Sequence, residues 1–177
     1  MVHALLERLA KQMVKPANTT PLRRKPQESS REYCYDHPHP AVSVDIVLFN
    51  RSGNRIEVLL IKRKHPPFEG RWAFPGGFVD PNEPLEDAAQ RELLEETGIT
   101  GITLDQFRAF GDPGRDPRGH NVSIVFTAVL DDKPIAVAAD DAADARWLSA
   151  RRPPRLAFDH NEILRLALKH ELGKSQR

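Results

Sequence analysis

The chain of 177 residues has a single cysteine, Cys34, so no intrachain disulfide can form, and the usage suits a reducing cytoplasm. It has almost no net charge: 26 Lys and Arg against 25 Asp and Glu leave +1. That balance removes the electrostatic case for nucleic acid or an anionic membrane as partner. Long apolar runs are missing too, which excludes a bilayer-spanning helix. Glu7, Arg8 and Lys11 interrupt the N-terminus, so it does not read as a secretory signal. Glutamate is absent between Glu96 and Glu162, which limits where any downstream carboxylate base could come from.

The residues that are present suggest one domain with an N-terminal appendage. Val2, Leu5, Leu6, Leu9 and Met13 form a helical stripe. Residues 16–32 turn polar, with Pro16, Pro21 and Pro26 around Arg23-Arg24-Lys25, and read as an exposed linker. Residues 1–35 are therefore assigned to a helix and linker, and residues 36–177 to the domain. Cys34, Asp36, His37 and His39 cluster, but their spacing matches no zinc pattern and no second Cys/His pair follows. The prolines there fit an extended lead into a strand.

Alternation and Val/Ile content predict strands over 41–49 and 56–62 around a turn at 50–54, a hairpin. Further strands are expected at 102–111, 121–130 and 145–148. One helix is expected over 84–97, with Leu85, Ala88 and Leu93 buried and Gly98 as a left-handed cap. A last helix should run from Asp159, as its cap, to Leu172, with Ile163, Leu164, Leu166 and Leu168 as its apolar content. A mixed sheet flanked by helices is the natural α/β architecture.

The chemistry concentrates in residues 77–99, GFVDPNEPLEDAAQRELLEETGI. Glu92, Glu95 and Glu96 stand at i, i+3 and i+4, on one helix face. Like charges so placed repel, and a hard divalent cation such as Mg²⁺ or Mn²⁺ removes the penalty by taking carboxylate oxygens. An acidic solvated face with Arg91 paired to Glu95 is the plain alternative. The whole segment decides between them. It resembles the Nudix box, G-x5-E-x7-R-E-U-x-E-E-x-G-U with U aliphatic, in all nine specified positions: Gly77, Glu83, Arg91, Glu92, Leu93, Glu95, Glu96, Gly98 and Ile99.

The resemblance implies the α/β/α sandwich of Nudix hydrolases and hydrolysis of a nucleoside diphosphate derivative. It implies a metal held by Glu92, Glu95, Glu96 and the Gly77 carbonyl. Arg91 then orients Glu95, and Glu83 supports the loop. Glu92 is the first choice of general base; Asp112, Asp116, Asp140, Asp141 and Asp144 are the downstream candidates. The tract Pro113-Gly-Arg115-Asp116-Pro-Arg118 is similar to a loop of ADP-ribose pyrophosphatases in that family, as are residues 67–80 and 156–160. Arg115 and Arg118 are thereby candidate phosphate clamps, with Pro113 and Asp116 beside them. Phe74, Trp72 or the N-terminal segment could stack on adenine, although Trp72 and Trp147 suit the core as well.

The expected reaction is ADP-ribose to AMP and ribose 5-phosphate. A nucleoside triphosphate or dinucleotide pyrophosphatase is one alternative, since the fold does not settle the substrate. An ADP-ribose-sensing regulator without hydrolysis is the other; the thirty or so residues after Trp147 are too few for a winged helix-turn-helix. Family analogy also implies a homodimer.

Overall fold

The computed structural model describes residues 35–138 and 142–174. The N-terminal stripe, the basic linker, Cys34, Asp140 and Asp141 lie outside the described residues. The chain divides after Pro38 into two units, the second beginning at His39.

The centre of this second unit is β1 (Ala41–Ser52), which is buried without interruption from Ser43 to Asn50. A strand covered on both faces reads as a continuous apolar run, and residues 44–49, VDIVLF, are one except for Asp45. A two-residue turn at Gly53-Asn54 returns the chain as β2 (Arg55–Arg63); Gly53 takes φ 58, where a side chain would be strained. The expected hairpin is therefore present, with both strands longer than the Val/Ile content marked. β6 (Asn121–Leu130) pairs with β1 in parallel along its length, and β5 (Asp105–Phe110) pairs antiparallel with β6. β7 (Ala142–Ser149) lines the other edge of β2.

The feature that builds the site is a fork. β1 pairs with β2 only near the hairpin, from Phe49↔Val58 to Ser52↔Arg55. Beyond that the two strands diverge, and the gap is filled by β3 (Trp72–Ala73), which pairs with β2, and β4 (Gly76–Phe78), which pairs with β1. Residues 74–75 bridge the fork, and Ile46 N–H donates to the Pro75 carbonyl at 2.8 Å.

Helices cover both faces. α1 (Leu85–Thr97) buries Ala88, Ala89 and Leu93 against Val44, Ile46, Leu48, Leu59 and Phe126. Burying a leucine such as Leu93 stabilises the fold by roughly 1.5–3 kcal/mol. Pro84 opens the helix from extended backbone, and Glu86 and Asp87 suit the positive end of its dipole. Gly98 closes it in the left-handed region at φ 71, donating to the Leu94 carbonyl at 2.8 Å. Leu85 is only partly buried. α2 (His160–Lys174) packs Ile163, Leu164 and Ala167 on the opposite sheet face, against Val47, Phe49, Val58, Leu60 and Val125. The alternation along β1 and β2 assigns successive side chains to the two layers. The result is an α/β/α sandwich with a mixed sheet. Among the described residues, no helix is long and apolar enough to cross a membrane.

Candidate active site

The fork delivers Gly76-Gly77 to the inner face of α1. Glu96 is almost wholly buried, and its Oε2 accepts the Gly76 N–H at 2.9 Å. Close approach to backbone requires glycine at position 76, and at position 77 it lets the Glu92 carboxylate lie against the main chain. A Cβ on Gly76 would collide with the Val44 carbonyl, and one on Gly77 with the Glu92 carboxylate. Glu92 and Glu96 therefore meet the Gly76-Gly77 backbone directly.

Arg91 gathers the remaining carboxylates. Its Nε and Nη2 hold Glu83 from both sides at 2.7 and 2.9 Å. Nη1 donates to Glu92 at 2.7 Å and Glu95 at 3.2 Å, and Nη2 also reaches the Phe78 carbonyl at 3.1 Å. Glu83 further accepts the Asp80 N–H at 2.9 Å, which ties the loop to the helix. The hydrogen bond from Arg91 holds Glu83 below its ordinary pKa. Burial pushes Glu92 above its own, only partly offset by Arg91. Arg91 outweighs burial at Glu83, and burial outweighs Arg91 at Glu92. Among the described residues, no three His, Cys, Asp or Glu side chains are grouped tightly enough, as they stand, to chelate an ion. The donor chemistry nevertheless suits a hard cation: oxygen ligands, one raised in pKa by desolvation, packed on a glycine backbone.

Near Glu96 and Phe78 stands a basic and aromatic group. Arg118 is paired with the buried Asp116 at 2.7 Å and lies over Phe78 and Phe158, 4.9 and 5.5 Å from their ring centres. Arg63 also lies over Phe158, at 5.0 Å, and is tethered to the Pro67 carbonyl at 2.8 Å. Burial and the neighbouring Arg118 charge lower the Arg63 pKa, while Glu96, Asp116 and Asp45 work against that. Two guanidiniums thus share one place with the acidic helix face.

Several expected site residues sit elsewhere than their roles required. Arg115 is not free to clamp a phosphate: its side chain is 4% exposed, and Asp159 takes both ends of it at 2.8 and 2.7 Å. The same pairing occupies the Asp159 carboxylate that was expected to cap α2. Phe74 cannot stack on adenine, because it is buried in the core with the His160 ring stacked on it at 4.7 Å. Trp72 and Trp147 are also packed against the core, and Trp147 donates to the Pro134 carbonyl at 3.0 Å. Pro113 is exposed in the loop. Of the downstream aspartates, Asp116 is engaged by Arg118, Asp144 pairs with Arg146 at 2.7 Å, and Asp112 is exposed.

Arg63 and Asp45 were not singled out in the sequence, and Phe78, Phe158 and His160 stood there only within the tracts 67–80 and 156–160, without individual roles. Asp45 carried a visible signal, a charge inside an apolar central strand. Arg63 carried none, since a strand-end arginine is ordinary.

A model of the NUDIX domain matches residues 39–167. An ADP-ribose pyrophosphatase of Methanocaldococcus jannaschii is 43% identical over 127 residues, 72% of each chain. The ADPR responsive transcriptional repressor NtrR of Acinetobacter baylyi is 35% identical over 136 residues, 75% of this chain and 54% of the repressor. Among solved structures, the NUDIX domain of Shewanella oneidensis NrtR complexed with ADP ribose superposes with a TM-score of 0.66 at 32% identity, covering 76% of this chain and 90% of that one. A family match across most of the chain, the complete box and the forked sheet agree: this protein belongs to the Nudix family and is a Nudix hydrolase.

Proposed function

We propose that the protein hydrolyses the pyrophosphate of ADP-ribose to AMP and ribose 5-phosphate, with Mg²⁺ or Mn²⁺ bound at the box. The observation that carries this reading is the meeting of the box with two guanidiniums: Arg63 feels the charge of Glu96, and Arg118 lies over Phe78, whose carbonyl Arg91 holds. A pyrophosphate is a dianion that needs cationic partners on both of its phosphates. The relatives support the choice of nucleotide. So does the solved bifunctional NMN adenylyltransferase/ADP ribose pyrophosphatase of Francisella tularensis with AMP and a manganese ion, which matches with a TM-score of 0.65 at 30% identity over 77% of this chain and 43% of that one.

Glu92, Glu95, Glu96 and the Gly77 carbonyl would hold a divalent cation, which would supply positive charge against the phosphate oxygens and acidify water. The chain's own residues do the rest. Arg118 and Arg63, braced on Phe158, hold phosphate oxygens. Arg91 keeps Glu92 and Glu95 in register, and Glu83 fixes Arg91. Glu92 takes the proton from the water that attacks phosphorus. The bridging P–O bond breaks, and its electron pair leaves with the second phosphate. Phe78, 45% exposed beside Arg118, offers a ring face to the base or ribose.

Similarity to the repressor favours a second reading, in which ADP-ribose binds without turnover. The deciding experiment is phosphate release, coupled to alkaline phosphatase, from ADP-ribose, NADH, diadenosine polyphosphates, sugar nucleotides and NTPs, with Mg²⁺, Mn²⁺ or EDTA. EDTA-sensitive turnover led by ADP-ribose is expected. Turnover led by another nucleotide discards the substrate, and binding without turnover promotes the sensor.

A further inference from the structure

Behind the box lies a buried polar array that the proposed chemistry does not use. His160, the first residue of α2, is 3% exposed. Its Nδ1 accepts the Phe74 N–H at 3.1 Å, and its Nε2 lies 3.5 Å from Asp45 Oδ1. Asp45 also accepts from the Ser123 hydroxyl and stands 3.9 Å from Arg115 Nη2. Arg115 in turn holds Asp159, the residue before His160, so the N-terminus of α2 is anchored on both sides of the imidazole.

The Phe74 N–H falls in the gap between strand ladders, which end at Ala73 and resume at Gly76. It is buried, and such a donor left without an acceptor costs about 1–3 kcal/mol. To accept it, Nδ1 must carry a lone pair, so the proton of the neutral ring sits on Nε2 and faces Asp45. Burial lowers the His160 pKa and keeps the ring in that neutral form.

Two residues along the chain, the Gly76 N–H donates to Glu96. The bridge between these donors has little freedom. Its Pro75 carbonyl is fixed by Ile46 N–H, and Gly76 is seated against Val44 and opposite Asp45. We propose that His160 is a positioning residue of the box: by holding the Phe74 N–H through Nδ1, it sets residues 74–76 and so aims the Gly76 N–H at Glu96. The inference rests on the reading of Glu96 as part of the hydrolytic site. It assigns to the start of the last helix, 64 residues from Glu96 in sequence, a part in aligning that carboxylate.

Two substitutions separate the hydrogen bond from the packing. His160→Phe keeps an aromatic ring against Phe74 and removes the acceptor. His160→Asn removes the ring and places an amide oxygen near the position of Nδ1. Loss of an outer partner that orients a working carboxylate lowers activity by roughly 10–100-fold. We therefore expect His160→Phe to lose kcat on that scale with little change in KM, and His160→Asn to recover most of it.

Amide exchange measured by NMR should show Phe74 and Gly76 protected in the wild type and in His160→Asn, and both faster in His160→Phe. Imidazole ¹⁵N shifts of the wild type should show an Nε2–H tautomer. An Nδ1–H tautomer overturns the proposal, as does a His160→Phe variant with wild-type kcat and an undisturbed Gly76 amide. If the wild type hydrolyses no nucleotide, the proposed function falls, yet the tautomer and the two amides still decide the hold on residues 74–76.

Discussion

Arg91 and Arg115 hold carboxylates in the same way and do different work. Each grips one acid with both arms of its guanidinium, Glu83 in the first case and Asp159 in the second. Arg91 is a quarter exposed and shares its remaining donor with Glu92 and Glu95. Arg115 is buried beside Asp45 and His160. There burial alone would lower its pKa, but Asp159, Asp45 and Asp116 together more than offset it, and the net shift is upward. At the edge of a cleft, a guanidinium can align acids that must still meet a ligand. Inside the protein the same contacts serve to neutralise a charge that water cannot reach. The residue type does not decide between the two roles; its surroundings do.

The largest test of this contrast is stability. Arg115→Leu leaves Asp159 and the buried Asp45 without their cation, and should cost roughly 3–5 kcal/mol in urea unfolding. The double variant Arg115→Leu with Asp159→Leu should recover part of it. A single variant as stable as the wild type would return Arg115 to the role of a mobile phosphate clamp. Arg91→Ala should do the converse. Turnover should fall by roughly 10–100-fold, as when an outer partner is lost, while the unfolding midpoint moves less than for Arg115→Leu. A larger stability loss at Arg91 than at Arg115 would reverse the comparison.

A smaller effect is expected at Glu92. Its folded pKa is raised, so its contribution to stability is present below the ordinary carboxylate range and lost as pH rises through the folded value. At neutral pH the buried charge destabilises the fold. Glu92→Gln should then lose activity but gain about 2–4 °C in Tm at neutral pH, a gain that fades below about pH 4. A lower Tm at neutral pH would mean that the bond to Arg91 outweighs burial. The smallest effect belongs to Arg165, whose pair with Glu162 is fully in solvent. Arg165→Ala should leave Tm and kcat unchanged, and a measurable shift in either would show that an exposed ion pair matters here.

Much of the box was legible because its logic is local. Helical spacing alone puts Glu92, Glu95 and Glu96 on one face, Gly98 marks the end of that face, and all of these stand within seven residues. The Arg91–Glu95 contact was expected on the same grounds and is present at 3.2 Å. The loop arginines were legible as a pair and not as individuals. Arg118 lies over Phe78, whereas Arg115, three residues earlier, turns inward to Asp159, 44 residues on. Phe74 failed as an adenine shelf for a related reason, since its neighbour in space is a histidine 86 residues away.

The amino-acid pattern alone was sufficient for the extent of β6, the α1 cap and the acidic face, because each depends on contacts a few residues apart or on a two-residue or 3.6-residue period, whereas the α/β/α layering came from the resemblance of the box. Which arginine meets the cleft, which is sealed in the core, and which histidine reaches the back of the box depend on the fork between β1 and β2. That fork is an outcome of strand pairing over long separations, where burial and partner charge are set by elements that local sequence does not place together.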